Sequence, residues 1–228
     1  MSISVEQLFG TSKDHLELSQ DGALLHTEVI SDFSSMCLAA KADGIDIKVA
    51  SGFRDFERQC TIWQNKFIGK KPVFKRDGSV VDMNQLDEWQ KVQAILLYSA
   101  LPGCSRHHWG CDLDIYDSAA IDEHYQLQLV PQEYQLGGPF YHLSQWLLDN
   151  AHQFNFYRPY LSNSQAIAQE LWHISHQPCS NSFMLHFSQN KDKLLTLLKA
   201  ADIAGINAIE QNLNTILHNY VFLGEEIK

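Results

Sequence analysis

A chain of 228 residues with 45% hydrophobic and 19% charged residues has the balance of a globular protein with a substantial core. Its formal net charge of −10 argues against a nucleic-acid or anionic-membrane surface, which needs clustered Lys and Arg. The one basic cluster, Lys66 to Arg76, reads as a solvated loop, and no stretch approaches the roughly 18 apolar residues of a membrane span.

Residues 1–11 carry neither a basic leader nor an apolar run of signal-peptide length, which predicts a cytoplasmic protein, with the periplasm or cell envelope as the alternative. Apolar residues at Leu24, Leu25, Val29, Phe33, Met36, Cys37 and Ala40 recur at helical spacing and predict a helix over 22–42. Asp43-Gly44 stops it, residues 45–50 (IDIKVA) alternate like a half-buried strand, and Ser51-Gly52 breaks that strand. A second helix is predicted over 55–67, with Phe56, Cys60, Trp63 and Phe67 inward. A polar loop follows over 69–85, then a third helix over 87–100, ended by Pro102-Gly103.

After SRHHWG comes a short strand, DLDIYD (112–117), and a loop to Gly137-Gly138-Pro139. A fourth helix over 141–152 leads into the strand-like FNFYRPY, and ELWHISH (170–176) reads as a further strand. Beyond Pro178 the pattern changes to SFMLHF, two helical stretches near 191–201 and 203–217, and an aromatic end, NYVFL. The expected class is α+β, helices packed on a small, mostly antiparallel sheet.

Polar residues gather where these strands end. A catalytic zinc needs three protein ligands and an open fourth position. His107 on a loop and an aspartate on the strand after it supply an imidazole nitrogen and a carboxylate oxygen, with Gly110 letting the chain turn between them. Asp112 and Asp114 share one strand face, so spacing leaves both as candidates, and His108 competes with His107. In Glu170-Leu171-Trp172-His173 the first and last residues do not share a strand face, so a bend or a strand end must bring both to one metal. A glutamate beside a zinc ligand is placed to take a proton from water. In Ser51-Gly52-Phe53-Arg54, at a strand-to-helix turn, the guanidinium is placed to grip a substrate carboxylate.

The ordered set SGFR (51–54), SRHHWGCDLD (105–114) and ELWH (170–173) resembles the zinc D-alanyl-D-alanine carboxypeptidase family. That family includes VanY-type and L,D-carboxypeptidase enzymes, with phage endolysins as relatives, on the Hedgehog/DD-peptidase fold. Its pattern is an SGYR-like turn, S-x-H-x-x-G-x-x-x-D, then E-x-W-H; NAHQFNFYRPY (150–160) resembles the stretch it places before E-x-W-H. The resemblance implies zinc held by His107, Asp114 and His173, Glu170 as general base, and Arg54 on the substrate carboxylate. Ser105 and Gln59 would be substrate contacts or lie just behind the ligands, and Asp112 would reach a substrate amine or pair with Arg106.

The chain departs from the family pattern where Asp112 replaces a small residue, Leu171 a proline, and His176 an aromatic residue or Arg. The implied layout is an N-terminal segment (1–21), a zinc peptidase domain (22–178) and a C-terminal extension (179–228). The implied activity is a D,D- or L,D-carboxypeptidase acting on peptidoglycan-derived peptides. Alternatives are a D,D-dipeptidase, an L-alanyl-D-glutamate endopeptidase, or a non-catalytic zinc- or peptide-binding domain of the same fold.

The five cysteines, at 37, 60, 104, 111 and 179, form no CxxC and are expected to be unpaired thiols. Cys104 and Cys111 flank His107, and a structural Cys/His zinc site there is disfavoured by the missing short pairing. His15, His26, His124, His142, His152, His186 and His218 receive no role, and Arg158 is expected to pair with an acid.

Overall fold

The computed structural model describes residues 3–161 and 166–223. A short helix α1 (Val5–Leu8) leads into a hairpin of β1 (Leu16–Leu18) and β2 (Leu24–His26), followed by α2 (Ile30–Ala42). The helix expected over 22–42 therefore begins eight residues late. Leu24 and Leu25 fit a helical period, but Gly22 turns the chain at φ 79° and Leu24 pairs with Leu18 across the hairpin. Backbone pairing outweighs a periodicity that two leucines satisfy in either conformation.

β3 (Ile47–Ser51) runs into α3 (Phe56–Phe67), whose first turn is capped by the Asp55 carboxylate accepting the Arg58 N–H at 2.8 Å. α4 (Glu88–Leu96) starts at a reciprocal Asp87–Gln90 capping box. After β4 (Asp112–Asp117) come α5 (Pro131–Tyr134), α6 (Tyr141–Asn150), β5 (Phe156–Tyr157) and β6 (His173–His176). The strand expected over 170–176 is thus only its second half. Glu170 to Trp172 form an irregular bend, held by Glu170 N–H donating to Tyr160 O at 3.0 Å.

The four-stranded sheet has the order β3-β4-β6-β5 and is antiparallel throughout. Alternation divides it into two faces. Leu113, Ile115, Ile174 and Phe156 point to one side, where Phe156 meets Phe33 of α2 with ring centroids 6.1 Å apart. Asp112, Asp114, His173 and Ser175 point to the other, as cross-strand pairs Asp112–Ser175 and Asp114–His173. A bulge in β3 between Val49 and Ser51 sets Ser51 opposite Asp114, the kind of local kink that re-aims side chains beside a site.

α7 (Gln177–Asn190) starts directly after β6, with Pro178 in its first turn, where a missing N–H leaves no bond unmade. Periodicity marked only a change of pattern here, because the one buried face of α7, Cys179, Ser180, Phe183 and Phe187, includes a serine and so reads weakly as an apolar stripe. α8 (Asp192–Ala200), α9 (Ile206–Gln211) and α10 (Leu213–Ile216) follow, ending in a π turn over Leu217–Val221. Phe183, Phe187, Leu194, Leu198, Ile209 and Ile216 from these helices are essentially buried in the common core. Trp109 stacks on Phe183 at 5.5 Å, and Trp63 donates its indole N–H to Ala204 O at 3.0 Å. No described helix is long and apolar enough to cross a membrane.

Candidate active site

The two inner strands carry the site. Asp114 on β4 faces His173, the first residue of β6. His107 arrives from the 3₁₀ turn Arg106–Trp109, which Gly110 ends at φ 72°. A Cβ at position 110 would strike the Leu16 side chain and stand 2.9 Å from His26 N, so both the conformation and the close approach of the hairpin require glycine.

Each imidazole is tethered by one nitrogen and presents the other. His107 Nδ1–H donates to Gly52 O at 2.9 Å, leaving Nε2 3.3 Å from Asp114 Oδ2. His173 Nε2–H donates to Asp112 Oδ1 at 2.9 Å, leaving Nδ1 3.1 Å from Asp114 Oδ1 and 3.8 Å from Glu170 Oε2. This is how proteins orient metal-binding histidines, one nitrogen on an oxygen acceptor and the other toward the ion. Ligand atoms of His107, Asp114 and His173 all lie within 4.8 Å of one another. His108 is excluded by its bonding: Nδ1–H donates to Arg54 O at 2.6 Å and Nε2 accepts the Gly103 N–H at 3.0 Å.

Charge in the pocket favours a cation. Burial alone would raise the Asp114 carboxyl, but the His107 and His173 contacts override it and keep it ionised. Burial would depress His173, yet hydrogen bonds to Asp112 and Asp114 push it up to about 9. A ring held this way sits where negative charge converges. His107 is lowered, first by burial, with Asp114 opposing, which keeps its lone pair open to an ion. Burial also raises Glu170 to about 7, with the His173 charge opposing that rise.

Arg54 is fixed from both sides. Nη1 donates to Gln59 Oε1 and Nη2 to Ser51 Oγ, each at 3.0 Å, while Gln59 Nε2 is anchored on Ala100 O at 2.7 Å. The guanidinium reaches to 4.0 Å from Asp114. A cleft of about 940 Å³ opens over these groups, with Arg54, Ser105, His107, Asp114, Glu170 and His173 on its floor. Phe74, Lys75, Arg76, Gly78, Leu129–Gln132 and the C-terminal Ile216, Tyr220 and Val221 also line it.

For two residues with two expected roles, the contacts match the supporting role and not the substrate contact. Gln59 is fully buried behind Arg54 and acts on its position. Asp112 is fully buried behind His173, with Arg106 Nε donating to it at 2.8 Å; the ion pair, not a substrate amine, is its partner. The basic cluster is also not a plain solvated loop. Lys66 lies in the last turn of α3 with Nζ on Ser99 Oγ at 2.6 Å, and Lys75 and Arg76 line the cleft. Arg158 bonds Ser144 through its side chain and carbonyl at 3.0 and 3.2 Å, where an acid was expected. Tyr160 belongs to none of the site motifs, yet its ring lies 4.9 Å from His173 and lines the cleft. The aromatic stretch before ELWH was the only sign of it.

A small antiparallel sheet presenting a buried His/Asp/His set, a neighbouring glutamate and a held arginine is the framework of a carboxypeptidase-type peptidase. The chain belongs to the VanY D-alanyl-D-alanine carboxypeptidase family, whose model matches residues 22–179. The fold is similar to that of VanYB in complex with D-alanine-D-alanine, at 24% identity and a TM-score of 0.50 over 73% of this chain and 80% of that one. A vancomycin-resistance VanY D,D-pentapeptidase in complex with Zn(II) matches at 24% identity and a TM-score of 0.50, over 74% and 83%. The LdcB LD-carboxypeptidase matches at 18% identity and a TM-score of 0.53, over 88% and 80%. Two uncharacterized proteins of Haemophilus influenzae are similar in sequence. One is 41% identical over 105 residues (44% of this chain, 72% of that protein), the other 32% identical over 123 residues (53% and 92%).

Proposed function

We propose that this protein is a zinc-dependent carboxypeptidase removing a C-terminal D-amino acid from peptidoglycan-type peptides. His107, Asp114 and His173 would hold the ion, and the carboxylate and two oriented imidazoles fit a catalytic zinc with one position left open. When bound, zinc supplies Lewis acidity toward a water molecule and the scissile carbonyl.

The chain's own residues do the rest. Glu170, 3.8 Å from His173 Nδ1, accepts the proton of the attacking water and returns it to the departing amine. A nearby dication would draw the Glu170 carboxyl below the value of about 7 that burial imposes, holding it in the proton-accepting form. Arg54, locked by Gln59 and Ser51, offers its remaining N–H donors to the substrate's terminal carboxylate. That contact favours removal of a terminal residue over internal cleavage.

The observation that carries this reading is Glu170 on a bend beside His173, inside the same buried pocket as the triad. A domain that only bound zinc or peptide would have no use for a base there. Incubation of the purified protein with tetra- and pentapeptide muropeptides, read by mass spectrometry, should show loss of one terminal residue. Glu170→Gln should keep its zinc and lose turnover by at least about a hundredfold. Unchanged turnover removes Glu170 from its role, and internal cleavage products would favour the endopeptidase.

A further inference from the structure

One member of the basic cluster, Lys66, stands at the cleft and has no part in the chemistry proposed above. Gln59, Ile62 and Lys66 follow one another along one face of α3, at steps of three and four residues. Gln59 lies behind Arg54, and Ile62 lines the cleft. The Lys66 ammonium donates to Ser99 Oγ at 2.6 Å, and Gln59 Nε2 donates to the carbonyl of the next residue, Ala100, at 2.7 Å. Arg54, through Gln59, and Lys66 are thus anchored on two neighbouring residues that both line the cleft.

Lys66 is a partly buried cation without a counter-ion. Among the described residues no carboxylate pairs with its ammonium, and Ser99 is its hydrogen-bond partner. Burial lowers its pKa, with the Glu170 charge opposing from beyond pairing distance. The C-terminal end of α3 favours a cation there but supplies no counter-ion. Charges taken out of water are normally paired, which points to a partner that enters with the ligand. Ser99 offers the point of contact. Its Oγ accepts from Lys66, and its own O–H, polarised by the ammonium, has no acceptor among the described residues. Tyr98 beside it, Lys75 and Arg76 line the same cleft. The acids lining the cleft are engaged elsewhere. Glu133 accepts from Tyr125 OH and from the Gln128 and Val130 N–H groups, while Asp114 and Glu170 stand beside the two histidines.

We propose that Lys66 and Ser99 form a second carboxylate-binding point, which selects peptides carrying an acidic side chain on the third residue from the C-terminus. The spacing sets the position. Gln59 and Lys66 stand seven residues apart on α3, about 10 Å of helix rise, which an extended peptide covers in about three residues. With Arg54 on the terminal carboxylate, the third residue lies beside Ser99. Its carboxylate accepts the Ser99 O–H and brings the charge that Lys66 lacks. The bond to be cut joins the last two residues and lies outside this contact, so the contact acts on binding rather than on the chemical step.

The inference rests on the carboxypeptidase reading for the orientation of the peptide, and the test separates the two. The zinc-loaded full chain is given acetyl-glutamyl-D-alanyl-D-alanine and acetyl-glutaminyl-D-alanyl-D-alanine, which differ only in that one charge. The glutamyl peptide should show a KM at least about tenfold lower, with kcat alike. Lys66→Met, which keeps the aliphatic stem, should erase the difference, and Lys66→Arg should keep part of it. Should Lys66→Met fail to fold by circular dichroism, Ser99→Ala takes its place and should cut the preference by at least about threefold. If neither peptide is turned over, the peptidase reading fails, and calorimetric titration with the same two peptides decides the subsite. The glutamyl peptide should then bind at least about tenfold tighter. Equal KM or equal affinity, no binding of either peptide, or a preference that survives the substitution overturns the proposal. So does a kcat loss shared by both peptides in Lys66→Met, which would place Lys66 in the service of Glu170.

Discussion

Asp112→Asn offers a sharp test of how the site is supported from behind. The side chain is fully buried and accepts from Arg106 Nε at 2.8 Å, His173 Nε2 at 2.9 Å and Ser175 Oγ at 3.1 Å. Arg106 is itself buried, and its other bonds go to neutral groups, Tyr157 OH at 2.8 Å and Ser175 Oγ at 2.7 Å. Burial alone would raise the Asp112 carboxyl, but the Arg106 charge and the His173 hydrogen bond hold it well below the ordinary range. Asparagine keeps the shape and removes the charge, leaving a buried guanidinium without its counter-ion. Breaking a buried pair from one side costs about 3–5 kcal/mol, and the retained Tyr157 and Ser175 bonds place this case near about 3. For a chain of this size that lowers Tm by roughly 6–12 °C.

A second effect concerns the metal. An amide is a weaker acceptor for His173 Nε2–H than a carboxylate, and such changes behind a ligand typically cost about 10–100-fold in metal affinity. Urea denaturation with chelator present isolates the first effect, and zinc competition with a chromophoric chelator measures the second. Replacing the pair together, by Arg106→Met with Asp112→Leu, should recover much of the lost stability, because no unpaired charge remains. A loss below about 1 kcal/mol in Asp112→Asn, or a double variant as unstable as the sum of its parts, would refute the reasoning.

Gly110→Ala should destabilise by about 1–3 kcal/mol, through its left-handed backbone and the collision with Leu16 and His26 N, and should weaken zinc binding by displacing His107. Unchanged denaturation midpoint and zinc affinity would count against that. Cys37, half-buried on α2, has its thiol pushed up to about 12 by burial, with Asp21 adding to the rise. Its thiolate fraction at pH 8 is then on the order of a thousandfold below that of a free cysteine, and iodoacetamide labelling followed by peptide mapping should find it slow to react. Leu194→Ala, at a fully buried position on α8, should cost about 2–5 kcal/mol by urea denaturation. A cost near zero would mean that the C-terminal helices are not part of the core.

The sequence by itself carried the α+β class and the site motifs, for a physical reason. A metal site needs particular donor atoms, and SGFR, SRHHWGCDLD and ELWH hold them in segments short enough to be read as motifs. Spacing alone could not choose between Asp112 and Asp114 or between His107 and His108, because a strand face or a loop presents neighbours alike. The family resemblance favoured Asp114 and His107, and the structure supplies the reason. Asp114 lies opposite His173 and faces His173 Nδ1 and His107 Nε2, whereas Asp112 is tied to Arg106 and both nitrogens of His108 are bonded. The bend at Glu170 was required by the sequence reading and made by a backbone bond to Tyr160, ten residues away.

Only tertiary structure could decide the rest. Leu24 and Leu25 pair in a hairpin despite a helical period, Gln59 stands behind Arg54, and the last helices complete both the core and the cleft lining. Contacts of that kind are made by packing between distant segments, and a linear pattern holds no record of them.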